Sequence, residues 1–216
     1  VSSGEPALMR AAPDAAGELL TGDRATAIRG VQQGRLLHML VRLSRASRVL
    51  EVGCFSGYAA LWMALALPPG GTLLSLERDE RAAEVARRHL AASGMGERVE
   101  LRIGDAMDSL LALPADEPPF ELIFLDADKK RSWAYVDLLM SRGLLAPHGL
   151  LLVDNVLWKG QVLAHLDPQV VTAASDAAAT LPSATRRSMG LRDALHAFST
   201  QLAVDERVHQ VLLPLR

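Results

Sequence analysis

The chain has 216 residues, 50% of them hydrophobic, and its 23 Lys and Arg face 25 Asp and Glu for a net charge of −2. A core of this size buries about 70% of the unfolded surface, so folding requires neither a metal nor a disulfide. With no basic excess and no apolar run near the ~20 residues that span a bilayer, the composition argues against nucleic-acid and membrane partners. The single cysteine, Cys54, favours a reducing, cytoplasmic location.

The hydropathy pattern predicts an α/β fold. Residues 1–30 are rich in Ala, Gly and Pro and are predicted to form an N-terminal arm or lid, and residues 31–216 one domain that opens with a helix at 32–47. Short apolar runs without alternation then alternate with helical patterns, which is typical of parallel strands covered on both faces. Asp79 and Gly94 are predicted to begin and end one of these helices. The predicted strands lie at 48–52, 72–77, 99–103, 120–126, 149–154 and 207–213.

A glycine loop follows the first predicted strand. Gly53 and Gly57 let the backbone turn sharply at the carboxyl end of a parallel strand, where such sheets bind ligands. The dinucleotide fingerprint needs further glycines two and five residues after the first, and Phe55 and Tyr58 stand there instead. The loop therefore predicts a nucleotide-like ligand and disfavours NAD, so an NAD-dependent oxidoreductase is a weakened alternative.

Acidic residues accompany this loop. Glu51 precedes it, and Glu77 ends the second predicted strand, where a carboxylate can accept both hydroxyls of a ribose. Asp105 follows the third strand and either accepts an adenine amino group or caps the next helix. Together these positions predict a nucleoside-containing cofactor.

A second acidic cluster follows the fourth and fifth predicted strands. Asp126 ends the fourth strand, and Asp154 and Asn155 end the fifth. If these strands are neighbours, the three side chains supply oxygen ligands for a hard cation such as Mg²⁺ or Ca²⁺. The alternative, that they are helix caps and solvated turns, explains one such residue better than a pair.

With these stretches in view, the chain resembles the class I S-adenosylmethionine-dependent, metal-dependent O-methyltransferases of the caffeoyl-CoA and catechol type. The most specific matches are LDADK at 125–129 and VDNVLWKGQV at 153–162, and the resemblance covers roughly residues 31–213. It implies a Rossmann-like, doubly wound and mostly parallel sheet with helices on both faces, which lacks the last antiparallel strand because the chain stops soon after the sixth. It also implies a homodimer.

The resemblance assigns roles to individual residues. Glu77 holds the ribose of S-adenosylmethionine, Asp126 or Asp128 lies near its sulfonium, and Lys129 is the base. A divalent cation, Mg²⁺ first and Ca²⁺ or Mn²⁺ as alternatives, is held by Asp126, Asp154 and Asn155. The acceptor is an o-dihydroxy aromatic small molecule, whose hydroxyl the cation activates and orients. The full cofactor set is Glu51, Gly53, Phe55, Ser56, Gly57, Glu77, Asp105, Ala106, Asp126 and Asp128.

Some positions depart from the family pattern. Ala59 stands where many relatives carry Ser or Thr, which keeps open the alternative of a catalytically impaired cofactor-binding or interaction protein with the same fold. Tyr135 and Trp158 can line an aromatic acceptor slot or belong to the core, and the sequence does not decide between the two.

Overall fold

The computed structural model describes residues 24–158, 162 and 183–213, with side chains described at 31–158, 162 and 189–213. Within this part, five parallel strands form one sheet in the order β3-β2-β1-β4-β5. The strands are β1 (Arg48–Val52), β2 (Thr72–Glu77), β3 (Val99–Ile103), β4 (Phe120–Leu125) and β5 (Leu145–Val153). The described helices are α1 (Arg24–Ser44), α2 (Tyr58–Ala66), α3 (Glu80–Ala92), α4 (Ala106–Leu111), α5 (Ser132–Ser141) and α6 (Ser183–Ala203).

Helices cover both faces of the sheet, and successive strand residues point to opposite sides. Val49 packs into a buried cluster with residues of α1, α2 and α3, such as Leu37 and Leu61. Leu50, the next residue of β1, packs into a second cluster with Val136 of α5 and other residues of α4, α5 and α6. Burial on both faces explains the continuous apolar run at 122–125 in β4, which lies between two other strands. None of the helices that the structure describes is long and apolar enough to cross a membrane.

The predicted α/β fold is confirmed, with shifts at some boundaries. β1, β2 and β3 have the predicted bounds, whereas β5 begins at Leu145, four residues earlier than expected. Asp79 caps α3 as predicted, because its side chain accepts the backbone N–H of Arg81 at 2.9 Å. Helix α1 already begins at Arg24 and so crosses the predicted boundary at residue 30. The rest of the predicted arm lies outside the described residues.

The sixth strand was predicted wrongly. Residues 207–213 belong to no strand, and the sheet has five strands in the described part of the chain rather than six. The side chains of Val211, Leu212 and Leu213 are exposed, with Val211 at 85%. No strand of the described sheet pairs with this segment, although its residue pattern is typical of a strand. A strand needs such a partner for its backbone groups.

The structure of one chain does not test the predicted homodimer or the predicted cytoplasmic location, and both stay predictions.

Helices α1 and α2 approach each other very closely at one glycine. A Cβ atom on Gly34 would lie 2.2 Å from Nε1 of Trp62, whose side chain is buried in α2. His38, one turn further along α1, stacks edge-on against the same indole ring. The indole therefore fixes the position of α1 over the sheet.

Replacing this glycine should destabilise the protein. We expect Gly34→Ala to lower the free energy of unfolding by about 1–3 kcal/mol, because overpacking outweighs the gain of about 1 kcal/mol in helix propensity. Urea denaturation measures this change. Gly96→Ala is the control, since its Cβ would meet only Ala91 atoms at 3.8 Å or more. A Gly34→Ala variant as stable as the control would contradict the packing argument.

Candidate active site

The carboxyl ends of the strands open into a cleft of about 2100 Å³. It is bounded by α1 on one side and by the loops that follow β1, β2, β3, β4 and β5. The sequence-predicted residues that line it are Gly53, Phe55, Ser56, Glu77, Asp105, Ala106, Asp126, Asp128, Asp154 and Asn155. Tyr135 and Trp158 also line this cleft, although Tyr135 is at the same time buried in the core. The structure thus brings both acidic clusters to one cavity.

The glycine loop turns directly beneath the cleft. Gly53 has a φ of +100°, and a Cβ atom there would lie 2.7 Å from the carbonyl oxygen of Asp126. Gly57 has a φ of +80° at the start of α2 and faces Ala86 of α3. Only glycine combines this conformation with such close contacts. Gly57 itself does not line the cleft, so its role is in the shape of the loop.

Glu77 is held by the backbone at the end of β2. Its Oε2 accepts the N–H of Phe55 at 2.7 Å, and its Oε1 accepts the N–H of Asp79 at 2.8 Å. Each oxygen retains a lone pair, so the carboxylate can still accept hydroxyl groups from a ligand in the cleft. The backbone N–H groups fix the carboxylate in that orientation.

Asp105 accepts hydrogen bonds from a helix N-terminus and from an arginine, and only the first of these was predicted from the sequence. Its Oδ1 accepts the N–H of Met107 at 2.8 Å and caps α4, which was the alternative role left open above. Its Oδ2 accepts Nη1 of Arg131 at 2.6 Å, and this hydrogen bond holds the pKa of the Asp105 carboxyl below its usual range. The guanidinium of Arg131 also lies 5.4 Å from the ring centroid of Tyr135.

Asp126 and Asp154 lie side by side because β4 and β5 are neighbours. The N–H of Asp126 donates to Val52 of β1 at 2.9 Å, and that of Asp154 donates to Leu125 of β4 at 3.1 Å. Burial raises the pKa of the Asp126 carboxyl, and the negative charge of Asp154 raises it further, against the lowering effect of Lys129. Lys129 forms an ion pair with Asp126, and its side chain is only 10% exposed.

These features fit a cation-binding role. Two crowded carboxylates next to the amide-bearing Asn155 form an oxygen-rich site in which a hard divalent cation would relieve the mutual repulsion. Within the described residues, no group of three or more His, Cys, Asp or Glu is arranged for a metal ion. A cation at this place would therefore depend on an amide, water or acceptor oxygen besides the two carboxylates.

Asp154 has a further partner that sequence reasoning missed. Gln33 of α1 donates through Nε2 to Oδ2 of Asp154 at 2.8 Å, although the two residues are 121 positions apart. The only sequence signal was the polar Gln32-Gln33 pair next to Gly34 in α1.

Glu51, which was predicted to bind the cofactor, does not line the cleft. It is fully buried, on the same face of β1 as Val49, and its Oε2 accepts the hydroxyl of Ser75. Burial raises the pKa of Glu51 to about 8. The Cys54 thiol lies next to it, and burial raises the thiol pKa as well.

Comparisons with known proteins show similarity to O-methyltransferases. The family model described as O-methyltransferase matches residues 20–216. A catechol O-methyltransferase of Mycobacterium tuberculosis is 37% identical over 171 residues, which cover 79% of this chain and 72% of the relative. Caffeoyl-CoA O-methyltransferase 2 of Zea mays is 31% identical and aligns over 85% of this chain but only 64% of its own length. The chain thus spans less than two thirds of the maize protein.

Solved structures are similar as well. An SAH-bound methyltransferase of Podospora anserina superposes with a TM-score of 0.80 at 28% identity, over 98% of this chain and 85% of that one. The O-methyltransferase TomG of Streptomyces achromogenes, solved in complex with SAM, gives a TM-score of 0.73 at 32% identity, over 94% and 80% of the two chains.

The buried carboxyl of Glu51 predicts a pH-dependent stability. Because its pKa rises from 4.5 to about 8 on folding, the native state binds the proton more tightly, and stability falls as the pH rises from about 4.5 to 8. Glu51→Gln removes this titration. The variant should gain stability relative to the parent by up to about 1.4 kcal/mol per pH unit in that window.

Urea unfolding at four pH values between 5 and 8 measures this difference. Glu84→Gln is the control, because the Glu84 carboxylate is exposed on α3, and its curve should run parallel to that of the parent. Parallel curves for Glu51→Gln and the parent would contradict the raised pKa.

Proposed function

The chain belongs to the O-methyltransferase family, and from this premise we propose that it transfers the methyl group of S-adenosylmethionine to one hydroxyl of a catechol-like small molecule with the help of a divalent cation. The observation that carries the proposal is the meeting of Glu77, Asp126 and Asp154 at one cleft, which the carboxyl ends of three different strands supply. The relatives named for catechol and caffeoyl-CoA support the acceptor class.

The cofactor occupies the side of the cleft next to β1 and β2. Glu77 accepts the ribose hydroxyls, and the glycine loop around Gly53 leaves room for the methionine part. Asp105 and the backbone of Ala106 face the adenine. Phe55 is 47% exposed at the rim of the loop and can cover the bound cofactor.

The acceptor occupies the side next to β4 and β5. Asp126, Asp154 and Asn155 hold the cation, which is expected to be Mg²⁺, with Ca²⁺ or Mn²⁺ as alternatives. When bound, the cofactor supplies an electrophilic methyl group, and the cation stabilises the negative charge of an ionised hydroxyl. Orienting the two reactants in one cleft can lower the barrier by about 7–11 kcal/mol.

Lys129 is the residue proposed to handle the acceptor proton. Its ammonium group is held by Asp126, at the end of the strand that also carries the proposed cation site. As an ammonium group, Lys129 has no lone pair, so to act as a base it would first release its own proton to the solvent and would then take the proton of an acceptor hydroxyl beside the cation. The ion pair holds the amine beside the Asp126 carboxylate, and Lys129 itself is not among the residues that line the cleft.

Glu77→Ala should weaken cofactor binding. The change removes two acceptors of hydroxyl hydrogen bonds, each worth about 1.5–3 kcal/mol when the acceptor is charged, so the dissociation constant for S-adenosylhomocysteine should rise at least about tenfold. Isothermal titration calorimetry measures it. Glu80→Ala, an exposed neighbour in the first turn of α3, should leave it unchanged. Equal affinities of the Glu77 variant and the parent would contradict the ribose contact.

Removing the cation should abolish methyl transfer. We expect no turnover of catechol, caffeoyl thioesters or flavonoids in chelator, and recovery with Mg²⁺. Asp154→Asn should lower the rate by about a hundredfold or more, since a cation supplies several kcal/mol of charge stabilisation. Its affinity for S-adenosylhomocysteine should remain intact, and Asp116→Asn, in an exposed turn, is the control.

Two results would contradict this proposal. Full activity in chelator would exclude the cation mechanism. Tight cofactor binding without turnover of any acceptor would favour the alternative of a catalytically impaired cofactor-binding protein.

A further inference from the structure

Helix α1 contacts the proposed cation site through one side chain. The Nε2 group of Gln33 donates to Oδ2 of Asp154 at 2.8 Å, and Gln33 lines the cleft. We propose that Gln33 is a positioning residue that holds the Asp154 carboxylate in the orientation that binds the cation. This inference rests on the proposed function, because it assigns a partner to one of the proposed ligands.

The hydrogen bonds of Asp154 support this role. Its Oδ1 accepts the backbone N–H of Asn155 at 2.8 Å, and its Oδ2 accepts Gln33. Each oxygen of a carboxylate has two lone pairs, so one acceptor position per oxygen remains for a cation. With donors on both oxygens, the carboxylate plane is fixed. Without Gln33, only the hydrogen bond to its own neighbour would restrain it.

The Gln33 side chain is uncharged, and this matters for cation binding as much as its position does. Asp126 is paired with the ammonium group of Lys129. Among the described residues, Asp154 forms no ion pair with a lysine or arginine, and an amide holds it instead. An amide orients the carboxylate without placing a positive charge next to it, where a bound cation would be repelled.

The neighbouring residue fixes the position of Gln33. Gly34 packs directly on the indole of Trp62, and no larger side chain fits between them. The backbone of α1 is therefore anchored to α2 one residue away from the donor. A donor on an anchored helix can orient a carboxylate, whereas one on a loose segment would move with it.

Gln33→Met tests this role, because methionine has a similar length but cannot donate a hydrogen bond. Titration calorimetry with Mn²⁺ measures the effect, with S-adenosylhomocysteine present throughout. The Mn²⁺ affinity of the variant should be about tenfold or more below that of the parent, because residues that hydrogen-bond to metal ligands typically contribute this much to metal affinity. The affinity for S-adenosylhomocysteine and the metal-free unfolding midpoint should remain those of the parent. Met39→Ala, at a half-exposed position of the same helix, is the matched control and should bind Mn²⁺ normally.

The outcomes separate this inference from the proposed function. Equal Mn²⁺ affinity in Gln33→Met and the parent overturns the positioning role and leaves the proposed function in place. A parallel loss of Mn²⁺ affinity, cofactor affinity and unfolding midpoint also overturns it, because it indicates a merely structural contact. If the parent binds no Mn²⁺, the proposed cation site fails, and the role of Gln33 fails with it.

Discussion

The close approach of the β1 loop to the end of β4 is the constraint on which the site depends. Because Gly53 carries no side chain, its backbone can lie against the carbonyl group of Asp126. This contact joins the loop proposed to receive the cofactor to the strand end proposed to hold the cation. Methyl transfer needs the two reactants in line and in contact, and a bulky residue between these loops would separate them.

Several carboxyl groups crowd around that contact, and each is accommodated differently. Glu51, buried beneath the loop, retains its proton up to a pH of about 8. Asp126 has an ammonium partner, Glu77 is held by backbone N–H groups and Asp154 by an amide. Glu51, which does not line the cleft, is the carboxyl group that burial keeps protonated. Burial away from water disfavours an ionised group that has no charged partner, which explains this difference.

The sequence was informative wherever a short segment determines its own structure. The strands β1 to β3, the cap at Asp79 and the acids at the strand ends follow from local patterns and from the rule that parallel strands end at one edge. The failures have a different origin. Residues 207–213 have a strand-like pattern but no partner, and pairing is a property of the whole sheet. The contact of Gln33 with Asp154 joins residues 121 positions apart, and the burial of Glu51 depends on which face of β1 it occupies.

The ion pair between Asp105 and Arg131 changes how the end of the cleft proposed to receive the adenine can recognise a ligand. Both oxygens of Asp105 already have donors, one from the helix cap and one from the guanidinium. An incoming amino group can use the remaining lone pair of Oδ2 beside Arg131 or replace the guanidinium, which would still have the ring of Tyr135 beside it. Where it replaces the guanidinium, recognition is an exchange of partners, and its free energy is the small difference between two satisfied states. Such a site contributes modestly to affinity and selects a ligand by the direction in which its donors point.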